Sequence, residues 1–293
     1  MKLITRPDFD GLICAIYLKK IFPIDQIEFV EPKFMQDGQV IVTKNDIIAN
    51  LPYHENCAYW FDHHVSNEIP IDFKGIFQVA PSAAGLIWEH YRAEFPELEK
   101  YEYLTKRTDV IDGALLSKHE TIHPIGYVLI SMTVTGTVET EYDYWMHLID
   151  KLEYLDEDEA LKDPIIKSRT DEFLAHEQDF KTLLNKCTTL YKNIIITDFR
   201  TENEIKSNNR FLVYAIHPKG NVSVTIKYDS QRPNYTAISV GKSIFNRTCD
   251  VNIGEMLKAF GGGGHAGAGS TRIPNDDTES VLKIIFDQLE SYD

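Results

Sequence analysis

The stretch that decides the fold lies at the start of the chain, where residues 1–21 read MKLITRPDFDGLICAIYLKKI. Residues 1–5 form a short apolar run that is typical of a β-strand, and residues 7–11 (PDFDG) have the composition of a turn. The apolar residues that follow recur at helical spacing. The stretch therefore predicts a strand, a turn and a helix, with two carboxylates, Asp8 and Asp10, in the turn.

The same alternation continues through the first half of the chain. Four further apolar runs are typical of short strands: residues 27–31, 40–43, 47–51 and 58–61. Ser82 is suited to cap a helix over residues 83–95. Strands that alternate with helices predict an α/β fold with a mostly parallel sheet, in which ligands bind at the carboxyl ends of the strands. Polar residues follow several of these strands, namely Asp8, Asp10, Asn50, Asp62, His63 and His64. We therefore expect them to converge on one crevice.

The pattern changes twice further along the chain. Residues 139–190 are charged and helical in period, which predicts a helical connector. Alternating strands follow at residues 194–197, 211–216, 222–228 and 235–240, and a closing helix is expected over residues 277–289. We predict an N-terminal α/β domain (1–138), the connector (139–190) and a smaller C-terminal α/β domain (191–293).

Composition limits the classes of function. The 293 residues carry a formal net charge of −15, which repels polyanions, so long nucleic acids are disfavoured as substrates. No apolar run approaches the roughly 20 residues that span a bilayer, and the first residues lack a secretory signal, so that no membrane association and a cytoplasmic location are expected. The four cysteines form no CxxC pair, which is typical of reduced thiols.

Two motifs in the first domain contain metal-binding side chains. Asp8 and Asp10, two residues apart on a turn, offer the oxygen ligands that Mg²⁺ and Mn²⁺ prefer, although Asp-x-Asp-Gly is also ordinary turn chemistry. The triplet Asp62-His63-His64 directly follows an apolar run, and imidazole beside carboxylate is typical of Mn²⁺, Fe²⁺ or Zn²⁺ sites. The sequence therefore favours a divalent metal site in this domain.

A third motif lies in the last domain, where Gly261–Gly264 precede His265. Consecutive glycines let the backbone approach a ligand closely and direct N–H groups at an anion, although a glycine run is more often a flexible loop. Residues 253–260 (IGEMLKAF) form an amphipathic pattern that predicts a helix directly before the glycines. This arrangement favours a phosphate-binding loop in a defined position.

Together these three motifs, in this order, resemble the DHH phosphoesterases that carry a DHHA1 domain. That family includes RecJ-type exonucleases, nano-RNA and pAp hydrolases, dinucleotide phosphodiesterases and exopolyphosphatase-like proteins. The resemblance covers nearly the whole chain, including the connector.

The resemblance implies a centre of two Mn²⁺ ions, with Mg²⁺ as an alternative metal. Asp8 and Asp10 would each bind one ion, and His63 would bind the ion that Asp10 holds. The later aspartate of the family falls on Asp109, with Asp112 as the alternative ligand.

The resemblance also implies catalytic roles and two departures from the family pattern. His64 would face the scissile phosphate, and Asp62 would orient the neighbouring imidazoles. The first-motif histidine of the family falls on Ile4, which cannot bind metal. The aspartate that bridges the two metals falls on Asn50, whose neutral amide would weaken a bridging role and so the second site.

In the C-terminal domain the resemblance implies a set of residues that bind substrate phosphate: Gly262, Gly263, Gly264, His265, Lys242, Ser243, Asn246 and Arg247. The expected function is metal-assisted hydrolysis of phosphate esters in small nucleotide substrates, such as short oligonucleotides, dinucleotides or pAp. Three alternatives stay open: an exopolyphosphatase-like activity, a nucleotide or polyphosphate binder with weakened catalysis, and a nuclease that acts on longer single strands. A homodimer is possible.

Overall fold

The computed structural model describes residues 1–65, 67, 70, 72–202, 205 and 209–290 of the chain. It divides into two compact units. The first unit comprises Met1–Leu116 and Pro124–Phe173, and the second comprises Ser117–His123 and Leu174–Asp293. The helices between residues 139 and 190, expected as a separate connector, are thus shared between the two units, and the domain boundaries stay a prediction.

The first unit is built on a parallel five-stranded sheet with the strand order β2-β1-β3-β4-β5. Its strands are β1 (Lys2–Thr5), β2 (Gln26–Phe29), β3 (Asp46–Ala49), β4 (Tyr59–Asp62) and β5 (Gly75–Phe77). Its helices are α1 (Phe9–Ile21), α2 (Pro32–Gln36), α3 (Ala83–Tyr91), α4 (Glu102–Asp112), α6 (Gly126–Ser131), α7 (Val138–Leu152), α8 (Glu157–Ala160) and the first part of α9 (Pro164–Cys187). Helix α5 (Lys118–Ile122) belongs to the second unit. The predicted α/β class is confirmed.

Helix α1 lies at the centre of the first unit. Every residue from Leu12 to Leu18 is fully buried, as expected for a helix that is apolar on all sides. It packs against α3, α4 and α7 over one face of the sheet, and a smaller cluster around Ile48 and Trp60 covers the other face. Because β1 is also an inner strand, the turn between β1 and α1 is held in the middle of the carboxyl edge of the sheet.

The second unit contains a six-stranded mixed sheet with the order β10-β11-β9-β8-β7-β6, in which β7 and β8 are parallel and the other pairs are antiparallel. Its strands are β6 (Thr188–Tyr191), β7 (Ile194–Asp198), β8 (Val222–Tyr228), β9 (Tyr235–Lys242), β10 (Gly263–His265) and β11 (Ala268–Pro274). Its further helices are α10 (Leu212–Ile216), α11 (Ile253–Lys258) and α12 (Thr278–Leu289).

Three expectations about local structure were wrong. The run at residues 211–216 contains helix α10 (Leu212–Ile216) instead of a strand, since periodicity alone does not separate a short buried helix from a short buried strand. Residues 40–43 join no sheet. Part of the glycine run forms strand β10 instead of a loop. Within the described residues, every helix is too short or too polar to cross a lipid bilayer.

Candidate metal centre

Asp10 lies in the first turn of α1 and is almost fully buried, with 1% of its surface exposed. The amides at the start of α3 hold its carboxylate: Ala83 N donates to Oδ2 over 3.0 Å and Ala84 N donates to Oδ1 over 2.9 Å. The start of a helix carries partial positive charge and unpaired N–H groups, so α3 orients this carboxylate without any side chain. Gly11 makes the turn possible, because an added Cβ would overlap the carbonyl oxygen of Arg6.

His63 directly follows β4, and its ring is oriented by the backbone. Its Nδ1 lies 2.9 Å from the carbonyl oxygen of Ala80. Because a carbonyl oxygen can only accept, Nδ1 carries the proton and Nε2 is left with a lone pair. Nε2 is buried, has no hydrogen-bond partner among the described residues, and lies 3.7 Å from Asp10 Oδ2 and 3.3 Å from Asp112 Oδ2. This unpartnered nitrogen is therefore directed at two carboxylates.

Helix α4 carries both candidate late aspartates, and their surroundings differ. Asp112, the last residue of α4, offers an oxygen that lies with Asp10 and His63 in a group whose ligand atoms are all within 4.8 Å of one another. Asp109 instead accepts a hydrogen bond from Ser82 Oγ over 2.6 Å at the start of α3, where Gly85 leaves room for it. Asp112, and not Asp109, therefore completes the group with Asp10 and His63.

The charges of this cluster favour a bound cation. Burial, and after it the charge of Asp8, raises the pKa of Asp10 to about 7. Burial, and after it the charge of Asp10, raises the pKa of Asp112 to about 7 as well. Buried carboxylates that repel each other are costly unless a cation offsets their charge. Two carboxylates and an imidazole with a free lone pair fit a divalent metal such as Mn²⁺.

Asp62 and His64 form a second pair beside the cluster. Asp62 is fully buried, and its Oδ1 accepts a hydrogen bond from His64 Nδ1 over 2.9 Å, while Oδ2 accepts one from Asn67 Nδ2 over 2.6 Å. Burial lowers the pKa of His64, but the hydrogen bond and charge of Asp62 outweigh it, so that this pKa is raised. The rings of His63 and His64 lie 4.1 Å apart. Asp62 thus orients the second imidazole of the triplet.

The other side of the cluster contains Asp8 and Asn50. Asp8 caps α1, and its Oδ1 accepts hydrogen bonds from Gly11 N and from Asn50 Nδ2, both over 2.9 Å. Its Oδ2 lies 3.0 Å from Arg6 Nε. Ile4, where the family pattern has a histidine, is fully buried in β1 and belongs to the core.

In the second unit, the fold itself explains most of the consecutive glycines at residues 261–264. Gly261 lies in the turn that follows α11 and has a φ of 68°, a conformation that glycine adopts readily. An added Cβ at Gly262 or Gly264 would overlap the backbone of β11. Gly263, in contrast, lies outside the positive-φ region and has no atom within 4 Å of the position of a Cβ, so the fold itself does not require glycine there. His265 ends β10 and is exposed.

The loop after β9 contains the remaining predicted phosphate ligands, and much of its polar chemistry supports the loop itself. Ser243 is buried, and its Oγ accepts hydrogen bonds from Phe245 N over 3.2 Å and from Asn246 N over 3.1 Å. Arg247 is exposed, and its Nε donates to a loop carbonyl over 3.1 Å. Lys242 ends β9, and its backbone N donates to the carbonyl of Gly267 in the β10–β11 turn over 2.8 Å. The loop after β9 therefore lies next to the glycine-rich segment of residues 261–267, which we call the glycine turn.

Several groups that position the centre were not recognised in the sequence. They are the carbonyl of Ala80, the amides of Ala83 and Ala84, and the side chain of Asn67. Backbone groups leave no signal in residue type, and Asn67 stands in a stretch without periodicity. Ser82 was expected to cap α3, and its additional hydrogen bond to Asp109 was not expected.

The chain is similar to a solved structure over almost its full length. Neither a scan against protein-family models nor a search of the curated proteins found a match. Among solved structures, the pGpG-specific phosphodiesterase PggH from Vibrio cholerae is 37% identical, with 98% of each chain covered and a TM-score of 0.83.

Two more distant structures share the fold. An exopolyphosphatase-related protein from Bacteroides fragilis is 13% identical, with 99% of this chain and 91% of that chain covered and a TM-score of 0.54. A manganese-bound exonuclease RecJ is 12% identical, with 100% of this chain and 90% of that chain covered and a TM-score of 0.58. With PggH similar over almost the full length and the three motifs present in the expected order, the chain belongs to the DHH/DHHA1 phosphoesterase family.

Proposed function

We propose that this protein is a metal-dependent phosphoesterase that hydrolyses the phosphodiester bond of short nucleotides, with the linear dinucleotide pGpG as the leading substrate. The observation that carries the proposal is the group formed by Asp10, His63 and Asp112, in which a buried, unpartnered imidazole nitrogen faces two carboxylates. The choice of substrate rests on PggH, the relative that is 37% identical and acts specifically on pGpG.

Asp10, His63 and Asp112 are the proposed metal ligands, with Asp112 preferred to Asp109 because Asp109 is engaged by Ser82. Mn²⁺ suits this mixed set of oxygen and nitrogen ligands, and Mg²⁺ is the alternative. A divalent cation in this position supplies Lewis-acid activation of water and of the phosphoryl oxygens. The protein supplies a fixed geometry, because α3 holds Asp10 and Ala80 holds His63.

His64 is the proposed partner of the scissile phosphate. Because its Nδ1–H donates to Asp62, its Nε2 carries a proton only in the imidazolium form, which the raised pKa favours. In that form Nε2–H donates a hydrogen bond to a phosphoryl oxygen and stabilises negative charge in the transition state. Asp62 therefore acts through His64, as a positioning residue.

The glycine turn and the loop after β9 form the proposed phosphate-binding surface of the second unit. Gly263 supports this role because its lack of a side chain has no packing reason. His265 and Arg247 are exposed and add polar side chains to the same region. A backbone without a side chain beside such polar side chains lets a phosphate approach closely.

A binder with weakened catalysis is the second candidate, and Asn50 is the observation that favours it. Its neutral amide stands beside Asp8 where the family pattern has a bridging carboxylate. The net charge of −15 disfavours long single strands. The cytoplasmic location and a homodimer stay predictions.

The test is a hydrolysis assay with Mn²⁺, Mg²⁺ or EDTA on pGpG, pAp, a short RNA and polyphosphate. We expect turnover of pGpG with Mn²⁺ and none with EDTA, with longer RNA and polyphosphate slower. An Asp112→Asn variant should lose this turnover. If the wild type binds pGpG tightly but does not hydrolyse it, the protein is a nucleotide binder and not an enzyme. If it hydrolyses polyphosphate in preference to pGpG, the proposed substrate class is wrong.

A further inference from the structure

The carboxylate of Asp8 has little capacity left for a metal ion. Its Oδ1 accepts two hydrogen bonds of 2.9 Å, one from Gly11 N and one from Asn50 Nδ2. Its Oδ2 lies 3.0 Å from the guanidinium of Arg6. The ligand that the family pattern assigns to a second metal is therefore already neutralised by groups of the chain itself.

Asn50 adds to this effect. It is 1% exposed and has a φ of 56°, a left-handed conformation that asparagine and aspartate both tolerate better than most residues. Its amide NH₂ is directed at Asp8, so the donor end of the side chain, which repels cations, faces the Asp8 side. The Oδ1 of Asn50 is buried without a hydrogen-bond partner among the described residues, but this neutral oxygen replaces the bridging carboxylate of the family pattern, so the Asp8 side suits a second divalent ion poorly.

Arg6 provides a permanent positive charge at this place. A guanidinium keeps its proton at any ordinary pH, so this charge does not depend on its surroundings. Within the described part of the chain, Asp8 is the only ion-pair partner of Arg6, and the contact uses Nε. The side chain is 32% exposed, so a ligand from solvent can reach part of it.

From these contacts we propose that Arg6 takes the place of a second metal ion. The centre binds one divalent cation at Asp10, His63 and Asp112, and the guanidinium of Arg6 binds oxygens of the substrate phosphate beside it. A planar guanidinium donates two parallel hydrogen bonds to a phosphate, which suits it to this task better than an ammonium group. The part that concerns substrate rests on the proposed function; the part that concerns metal count and phosphate does not.

Metal stoichiometry tests the first half, on the full chain and without turnover. Calorimetric titration with Mn²⁺, supported by elemental analysis after desalting, should give one ion per wild-type chain. In the double variant Arg6→Gln/Asn50→Asp two carboxylates face each other about as closely as Asn50 Nδ2 and Asp8 Oδ1 do now, at 2.9 Å, and no guanidinium opposes a cation. We expect that variant to bind two ions. Two ions in the wild type, or only one in the double variant, would overturn the proposal.

Phosphate binding tests the second half. Calorimetric titration of the Mn²⁺-loaded protein with inorganic phosphate should show affinity that falls roughly 10- to 100-fold in Arg6→Gln, the range expected when a hydrogen-bonded charge is lost. Arg6→Lys keeps the charge beside Asp8 and so guards against a folding defect, and its phosphate affinity should lie between those of the wild type and Arg6→Gln. Arg92→Gln is the matched control, because Arg92 pairs with Glu89 and Glu99 on the surface.

The outcomes separate this inference from the proposed function. If no nucleotide is hydrolysed but the stoichiometry and the phosphate affinities follow the expectation, the function is wrong and the role of Arg6 stands. If pGpG is hydrolysed while Arg6→Gln binds phosphate as tightly as Arg92→Gln and the wild type, the role of Arg6 is wrong and the function stands.

Discussion

Replacing Asp112 with asparagine should raise the stability of the metal-free protein and abolish its response to Mn²⁺. Asparagine has nearly the same shape but no charge, so the substitution removes the cost of burying a charge and the repulsion against Asp10 without leaving a cavity. Asp112 makes no hydrogen bond through its side chain among the described residues apart from its approach to His63. The same change removes one of the proposed metal ligands, so the two effects have opposite signs.

The size of the first effect follows from the pKa of Asp112, which is raised from 3.8 to about 7. A raised folded-state pKa means that ionisation opposes folding. The loss of stability therefore begins as the pH rises through the ordinary value and is complete above the folded value. Each pH unit is worth about 1.4 kcal/mol, which gives an upper limit of about 4 kcal/mol. The side chain is 23% exposed, so solvent screening reduces this, and we expect about 1–3 kcal/mol at pH 8.

Thermal unfolding in EDTA and in Mn²⁺, from pH 4 to pH 8, measures both effects. In EDTA at pH 8 we expect Asp112→Asn to unfold about 2–12 °C above the wild type, since 1 kcal/mol moves the Tm of a domain of this size by about 2–4 °C. The difference should vanish near pH 4. Mn²⁺ at a hundredfold excess over its Kd should stabilise the wild type by about 2.7 kcal/mol and leave the variant unchanged.

Asp109→Asn is the matched control, three residues earlier on the same helix. It should keep the Mn²⁺ response, because the side-chain oxygen of the introduced asparagine would still accept the hydrogen bond from Ser82. An undiminished Mn²⁺ response in Asp112→Asn would refute the assignment. Loss of that response in Asp109→Asn would restore Asp109 as the ligand.

Two further predictions concern single side chains. His63→Ala should lower Mn²⁺-dependent turnover by at least the 10- to 100-fold that is typical when a residue outside the ligand shell is changed, and should keep the far-ultraviolet circular dichroism spectrum. His64→Ala should lower the rate but keep Mn²⁺ binding, as measured by calorimetry. A His63→Ala enzyme with native rates would contradict the proposed role of His63. Gly264→Ala should lower the Tm, because an added Cβ would overlap β11 and the residue has a φ of 151°. Gly263→Ala should change the stability by no more than about 0.5 kcal/mol and should weaken phosphate binding. Equal losses of Tm in the two variants would contradict the claim that the fold does not require glycine at residue 263.

Much of the first unit follows from local patterns. The strand, turn and helix at residues 1–21 were predicted because an apolar run, a proline-containing turn and a helical period succeed one another without ambiguity. The convergence of Asp10 and His63 was also predictable, since both follow inner strands of a parallel sheet. Such inferences succeed where position in the sheet determines position in space.

The choice between Asp109 and Asp112 was not available from the sequence. Both lie on α4, three residues apart, and therefore on the same face of the helix. The outcome depends on where α4 ends relative to α3, which is a matter of tertiary packing. The role of Arg6 was hidden for a similar reason, because a basic residue in a turn is common and only the positions of Asp8 and Asn50 give it meaning.

The five residues from Ala80 to Ala84 have a mechanical consequence. This short segment forms hydrogen bonds with His63 through a backbone carbonyl and with Asp10 through two backbone amides, and its Ser82 side chain donates a hydrogen bond to Asp109. A shift of this segment would therefore act on Asp10, on His63 and, through Asp109, on helix α4 at the same time. The segment thus links α1, α3, α4 and the end of β4 into one support, so that the positions of the candidate ligands depend on one another.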